Sequence, residues 1–67
     1  SHLEELDSAL DKLESLDPQQ AKVVELRFFL GLTIDETAAT LDTSAATIKR
    51  DWFAAKLWLL REITGGS

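Results

Sequence analysis

The chain has 67 residues, 45% of them hydrophobic, and a formal net charge of -5 at pH 7. This size allows one small domain, and the hydrophobic fraction favours a folded domain over a disordered chain. The absence of cysteine excludes disulfides and thiolate metal sites, and no apolar run reaches the roughly 20 residues of a membrane span. Because the sequence does not begin with Met, we expect it to be a domain cut from a longer, cytoplasmic protein.

Charge is unevenly distributed along the chain. The first 17 residues carry six acidic side chains and one lysine, whereas residues 43–67 carry four basic and two acidic side chains. Overall acidity opposes nucleic-acid binding, because phosphate contacts dominate its affinity. The basic end is the part suited to a nucleic acid, although ordinary solvated helix faces explain the same pattern equally well.

Four helices are predicted, and the first two are separated by the pair Asp17-Pro18. Leucines at steps of three and four predict an amphipathic helix over about residues 3–16. Asp17 is suited to cap a second helix over about residues 18–30, with Pro18 at its first position. Gly31 provides the left-handed residue that commonly ends a helix. The leucine stripe of the first helix comprises Leu3, Leu6, Leu10, Leu13 and Leu16.

The third helix is predicted to be short and the fourth to be the longest. Thr33, with Glu36 three residues later, forms a capping-box pattern that predicts a helix over about residues 34–41. Ser44 is a suitable cap for a helix over about residues 45–63. The expected buried stripes comprise Ile34, Ala38 and Leu41 on the third helix, and Ile48, Trp52, Ala55, Leu59 and Ile63 on the fourth.

The third and fourth helices are separated by only a few residues, as in a helix-turn-helix. The alternation typical of strands is absent from the sequence. We therefore predict an all-α four-helix bundle containing a helix-turn-helix, related to winged-helix DNA-binding domains but without a wing. The prediction is a single domain over residues 1–67, in which residues 1–2 and 64–67 are frayed or vector-derived.

The outward side chains of the fourth helix suit DNA contact rather than catalysis. In a helix-turn-helix, the second helix lies in the major groove and reads base edges near its start. Lys49 and Arg50 can hydrogen-bond a guanine edge or a phosphate, with Asp51 partly neutralising them. The sequence contains no catalytic pairing, phosphate loop or clustered metal ligands, so we expect no enzymatic activity, cofactor or metal.

The fourth helix also carries more apolar side chains than one buried face needs. We expect the first helix to cover some of them and any remainder to form a protein contact, such as a homodimer through this helix. The surplus residues are Phe53, Ala54, Leu57, Trp58 and Leu60.

Two runs, DPQQAKVVELRFFLGLTIDETAATL and SAATIKRDWFAAKLWL, together form the pattern of a known family. Their most specific parts are Asp17-Pro18, Val24-Glu25-Leu26-Arg27, Gly31-Leu32-Thr33 and Thr47-Ile48-Lys49-Arg50. Over about Leu3 to Ile63, the chain resembles region four of bacterial RNA polymerase sigma factors, most closely the extracytoplasmic-function (ECF) group.

The resemblance implies a transcription initiation factor that recognises the minus-thirty-five promoter element with the helix beginning near Ser44. It also implies docking on the flap of the RNA polymerase β subunit and, in many cases, sequestration by an anti-sigma factor. The residues expected to contact DNA are Thr33, Ser44, Ala46, Thr47, Lys49 and Arg50.

Three positions depart from the family pattern. Asp42 stands where the family usually has the glycine of the turn. Thr43 stands where it usually has an apolar residue, and Ala46 where it often has a basic or polar one. We expect the turn to persist with some strain, because Asp tolerates the left-handed conformation better than most residues. The change at Ala46 and the acidic first helix predict weak DNA binding by the isolated chain, which tethering in the polymerase complex would offset.

Two other functions stay open on the sequence alone. A response-regulator-type helix-turn-helix output domain shares the third and fourth helices and often dimerises through its last helix. A protein-interaction module with a weakened DNA face explains Ala45-Ala46, Asp42 and the net acidity. Promoter binding at low salt separates these possibilities from a sigma-like domain.

Overall fold

The computed structural model describes residues 2–65, apart from the side chains of residues 2 and 3. Within these residues the chain is helical, with short connecting loops and no strand, which confirms the predicted all-α fold. The fraying predicted for residues 1, 66 and 67 lies outside the described residues. The elements are α1 (His2–Leu16), α2 (Pro18–Val24), a π-helical continuation of α2 (Glu25–Phe29), α3 (Ile34–Thr40) and α4 (Ala45–Ile63).

All three predicted helix caps form. The Asp17 carboxylate accepts a hydrogen bond from the backbone N–H three residues later, and Pro18 follows at the first helical position. Thr33 and Glu36 form both bonds of the capping box, at 3.0 Å and 2.9 Å. The Ser44 hydroxyl caps α4. Each cap satisfies a backbone N–H that the first helical turn leaves without a partner.

The end of α2 differs from the predicted α-helix, because its last turn widens into the π-helical segment Glu25–Phe29. The Leu30 N–H bonds to the Glu25 carbonyl oxygen, five residues back, at 3.1 Å. The wider turn shifts the following side chains around the helix. Phe28, Phe29 and Leu30, at the end of this segment, are exposed. Gly31 then adopts a φ of 70°, as predicted for the residue that ends the helix.

The turn between α3 and α4 keeps its expected shape without a glycine. Asp42 has a φ of 55°, in the left-handed region. The Asp42 N–H donates a hydrogen bond to the Ala39 carbonyl oxygen at 3.3 Å, and the Thr43 N–H donates one to the Ala38 carbonyl oxygen at 3.0 Å. These two bonds form a Schellman motif, the usual termination for a helix that must reverse sharply.

Helix α4 holds the other helices through two clusters of buried side chains. Its second half packs with α1 and α2 in what we name the α1 cluster, and its first half packs with α2 and α3 in the α3 cluster. Trp52 packs against both clusters. The α1 cluster comprises Ala9, Leu13, Ala21, Val24, Ala55 and Leu59, and the α3 cluster comprises Val23, Ala38 and Ile48.

The buried stripe predicted for α4 is confirmed at its centre. Ile48, Ala55 and Leu59 are buried, whereas Trp52 and Ile63 are half-buried. Buried side chains at these spacings fix which face of α4 points outward.

The buried face predicted for the third helix is confirmed. Ala38 is buried, and Ile34 and the C-cap residue Leu41 are half-buried and pack against the α3 cluster. Thr37, which was not expected on this face, is fully buried. Burial of Thr37 is tolerated because its hydroxyl donates to the Thr33 carbonyl oxygen at 2.8 Å. Leu16, the last residue of α1, packs against neither cluster and is exposed.

Replacing Asp42 by glycine is expected to stabilise the fold by about 0.5–1 kcal/mol, because glycine adopts the left-handed conformation without the steric cost of a Cβ. Urea unfolding monitored by circular dichroism measures the change. As a control, Ala39→Gly places the same residue on an exposed, right-handed helical position and is expected to lose up to about 1 kcal/mol. Equal losses in the two variants would contradict the left-handed turn.

Candidate nucleic-acid interface

The first two turns of α4, together with its cap, carry five of the six predicted DNA-binding residues. The Ser44 hydroxyl accepts a hydrogen bond from the Thr47 N–H at 3.1 Å and donates to Thr47 Oγ1 at 3.0 Å. Ser44 is exposed and Thr47 half-buried. Because the Thr47 oxygen accepts this bond, its own hydrogen can still be donated to an outside acceptor. The cap therefore orients one hydroxyl at the entrance to the helix.

The other three residues, Ala46, Lys49 and Arg50, are exposed on α4. Since Ile48 is fully buried, a turn of about 100° per residue directs positions 46 and 50 almost directly away from the core. The Arg50 side chain is 75% exposed, and its Nε lies 3.9 Å from Asp51 Oδ1. That distance is at the limit of an ion pair, and exposed pairs contribute little. Both cations are therefore available to an anionic partner.

Thr33, the sixth predicted residue, lies at the start of α3 rather than on α4. Its hydroxyl is occupied by the Glu36 N–H, and its carbonyl oxygen accepts bonds from the backbone and side chain of Thr37. Thr33 is exposed, but its observed bonds all lie within its own helix turn. The geometry therefore groups the five residues of α4 and leaves the role of Thr33 a prediction.

Arg27, which belongs to the family pattern but was not selected as a site residue, joins the loop before α3 to α4. Its Nη1 donates to the Leu32 carbonyl oxygen, and its guanidinium carbon lies 5.3 Å from the centroid of the Trp52 ring. The Lys56 ammonium lies 5.1 Å from the same ring, so two cations contact Trp52. The spacing in the sequence does not predict the contacts of Arg27, because these contacts depend on how the chain returns after Gly31.

An apolar groove of about 300 Å³ lies between α1, the end of α2 and α4. Its lining is aliphatic and aromatic, with one ammonium group, that of Lys56. Sequence reasoning missed the groove, whose lining includes the exposed Phe28 of the π-helical segment. The lining residues are Leu6, Val24, Phe28, Trp52, Lys56 and Leu59.

The expected apolar surplus on α4 divides into a covered and an uncovered part. Trp58 is half-buried and packs against the α1 cluster, so this part of the surplus is covered within the fold. Phe53, Leu57 and Leu60 remain exposed, and we name these three residues the outer stripe. Their spacing of four and three residues aligns them along one side of the helix.

The acidic helix α1 is attached near the far end of α4. An ion pair between Lys12 and Glu62 joins the two helices. Glu62 lies 18 residues beyond Ser44, about 27 Å along the helix axis. Lys12 and its partner Glu62 are therefore well separated from the basic start of α4.

The described part of the chain contains no group of three or more His, Cys, Asp or Glu side chains that could hold a metal ion. Within the same residues, no helix has the length and apolarity required to cross a membrane.

A short capped helix, a tight left-handed turn and a long capped helix with two exposed cations define a helix-turn-helix of the DNA-binding class. A family model described as ECF sigma factor matches residues 1–65. The chain belongs to the ECF sigma factor family, and so has a sigma factor's role in transcription initiation. The family match confirms the resemblance to ECF sigma factors that the sequence motifs indicated. No curated protein and no solved structure matches the chain.

Removing the cap of α4 with Ser44→Ala is expected to cost about 1 kcal/mol of stability, because a backbone N–H loses its partner. Ser44→Asp is expected to keep the stability, because a carboxylate also caps and interacts favourably with the helix dipole. Thermal unfolding of the two variants measures the difference. An Asp variant as unstable as the Ala variant would contradict the capping geometry.

Proposed function

We propose that the chain is a region-four domain that recognises the minus-thirty-five promoter element with the start of α4. The observation that carries this proposal is the exposed pair Lys49 and Arg50, beside the capped beginning of a long helix. Membership of the ECF sigma factor family supports the role in transcription. The general geometry of helix-turn-helix domains supports the mode of binding.

The residues of α4 have different roles in this proposal. Backbone N–H groups at the start of α4 and the Thr47 hydroxyl receive a phosphate oxygen, which also orients the helix. Lys49 and Arg50 contact guanine edges or further phosphates. Ala46 presents only a methyl group, so it allows close approach without a hydrogen bond. Thr33 lies near the DNA backbone.

Binding by this chain alone is expected to be weak, because its net charge is -5 and few cations face the DNA. Attachment to a polymerase that already holds the promoter raises the effective concentration of the domain. We therefore propose that the domain reads DNA as part of the polymerase holoenzyme. Its cytoplasmic location is part of the same proposal, since promoter DNA and the polymerase core are found there.

Docking on the β-subunit flap of RNA polymerase is assigned to the apolar groove. The exposure of Phe28 and the apolar lining around Trp52 suit an apolar segment of a partner. The groove residues of α4 follow Lys49 and Arg50 along the helix, so DNA and polymerase can be bound together. An anti-sigma factor that covered this groove would block the same docking.

Three other interpretations remain, and the first two are less well supported. A response-regulator output domain is disfavoured by the family match over residues 1–65. The observation that favours a homodimer through α4 is the outer stripe. Its three side chains, however, bury much less area than the roughly 800 Å² per partner of a stable interface. A protein-interaction module with a weakened DNA face is tested by the next experiment.

The double variant Lys49→Ala/Arg50→Ala is expected to lose at least about tenfold in affinity for promoter DNA at low salt, because each good base contact is worth roughly 1–3 kcal/mol. The slope of log affinity against log salt should fall by about 0.9 for each lost phosphate contact. Fluorescence anisotropy over a salt series measures both quantities.

The matched control is Lys12→Ala/Lys22→Ala, which removes the same charge from exposed positions elsewhere. It is expected to weaken binding only slightly, through the net charge. Equal weakening in the two double variants, with a polymerase flap fragment still bound, would instead support the protein-interaction module.

A further inference from the structure

Phe53 is an exposed aromatic side chain within the basic part of α4. It is 62% exposed and packs against neither the α1 cluster nor the α3 cluster. It follows Lys49 by four residues and Arg50 by three, so it is their neighbour on the helix surface. The fold does not use Phe53, and its position places it at the edge of the proposed DNA face.

The position of Phe53 along the helix separates it from the rest of the outer stripe. Phe53 lies nine residues beyond Ser44, about 14 Å along the helix axis. Leu57 and Leu60 lie about 20 Å and 24 Å from Ser44 along the same axis. The major groove is about 12 Å wide. A helix that enters the groove at Ser44 therefore brings Phe53 to the bases or to the groove edge and leaves Leu57 and Leu60 outside.

We propose that Phe53 contacts the C5-methyl group of a thymine next to the bases reached by Lys49 and Arg50. In the major groove the methyl group is the one apolar feature that distinguishes thymine, and phenylalanine is among the side chains that contact it. Ala46 lacks a polar group, so it cannot contribute a hydrogen bond to base recognition. Apolar contact by Phe53 provides a second source of specificity. The inference rests on the proposed function and names a base that the site reads.

A second copy of the chain is a less suitable occupant of this position. A protein partner that covered Phe53 would also cover the adjacent Arg50, whose side chain has only a long ion pair of 3.9 Å with Asp51. Removing such a weakly paired cation from water is costly. DNA instead provides phosphates for the cations and a methyl group for the ring on one surface.

The test uses a duplex selected by the chain from a random library at low salt. Each thymine of this duplex is then replaced in turn by uracil, which lacks only the methyl group. We expect uracil at one or two positions to weaken binding by about fourfold, the value of one buried methyl-sized group. In Phe53→Ala the same replacement should have almost no effect, and Phe53→Leu should retain part of it.

The matched control is Leu57→Ala, which removes an apolar side chain from the same stripe one turn further along. It is expected to keep the full dependence on the thymine methyl group. Circular dichroism of each variant establishes that the fold is retained. Light scattering measures the mass of the free chain and its variants.

Four results would overturn the inference. Binding that is indifferent to uracil at every position, or a methyl dependence that persists in Phe53→Ala, excludes a contact by this residue while leaving the proposed function intact. A dimer of the wild-type chain that Phe53→Ala dissociates assigns the residue to a second copy instead. If neither the wild-type chain nor a polymerase holoenzyme that carries it selects a duplex from the library, the proposed function fails and the inference fails with it.

Discussion

The structure depends on the packing of Trp52, which lies between the two buried clusters. The first half of α4 secures the short helix α3, and its second half secures α1 and α2. Trp52 packs against both groups, and the cations of Arg27 and Lys56 contact its ring. In a 67-residue chain, where little surface can be buried, one large side chain shared by two clusters makes them a single folding unit.

This packing determines which side of α4 is presented to other molecules. Because Ile48 and Trp52 face inward, the start of the helix turns Lys49 and Arg50 toward solvent. The same orientation exposes the apolar groove beside Lys56 further along the helix. One helix thus carries both surfaces proposed above, the basic start for nucleic acid and the apolar groove for protein. The acidic α1 packs against the second half of α4 through Ala9 and Leu13. The arrangement suits a domain that bridges DNA and a polymerase.

Features controlled by local chemistry could be predicted from the sequence, and features controlled by longer-range geometry could not. The cap at Ser44 and the left-handed turn at Asp42 follow from residue type and spacing within a few positions. The π-helical turn at Glu25–Phe29 has no such signature, and the groove whose lining includes Phe28 was missed. The contact of Arg27 with Trp52 was missed for the same kind of reason, because it joins residues 25 positions apart. Burial of Thr37 was missed because its hydroxyl is satisfied locally.

A two-step NMR titration establishes whether α4 carries two separate binding surfaces. Promoter DNA is added at low salt to the ¹⁵N-labelled chain, and a fragment of the polymerase flap is then added to the complex. We expect DNA to shift the amide signals of residues 44–53 and the flap fragment to shift those around Phe28 and Lys56, with DNA still bound. Displacement of DNA by the fragment, or DNA-induced shifts confined to α1, would exclude two separate surfaces on α4.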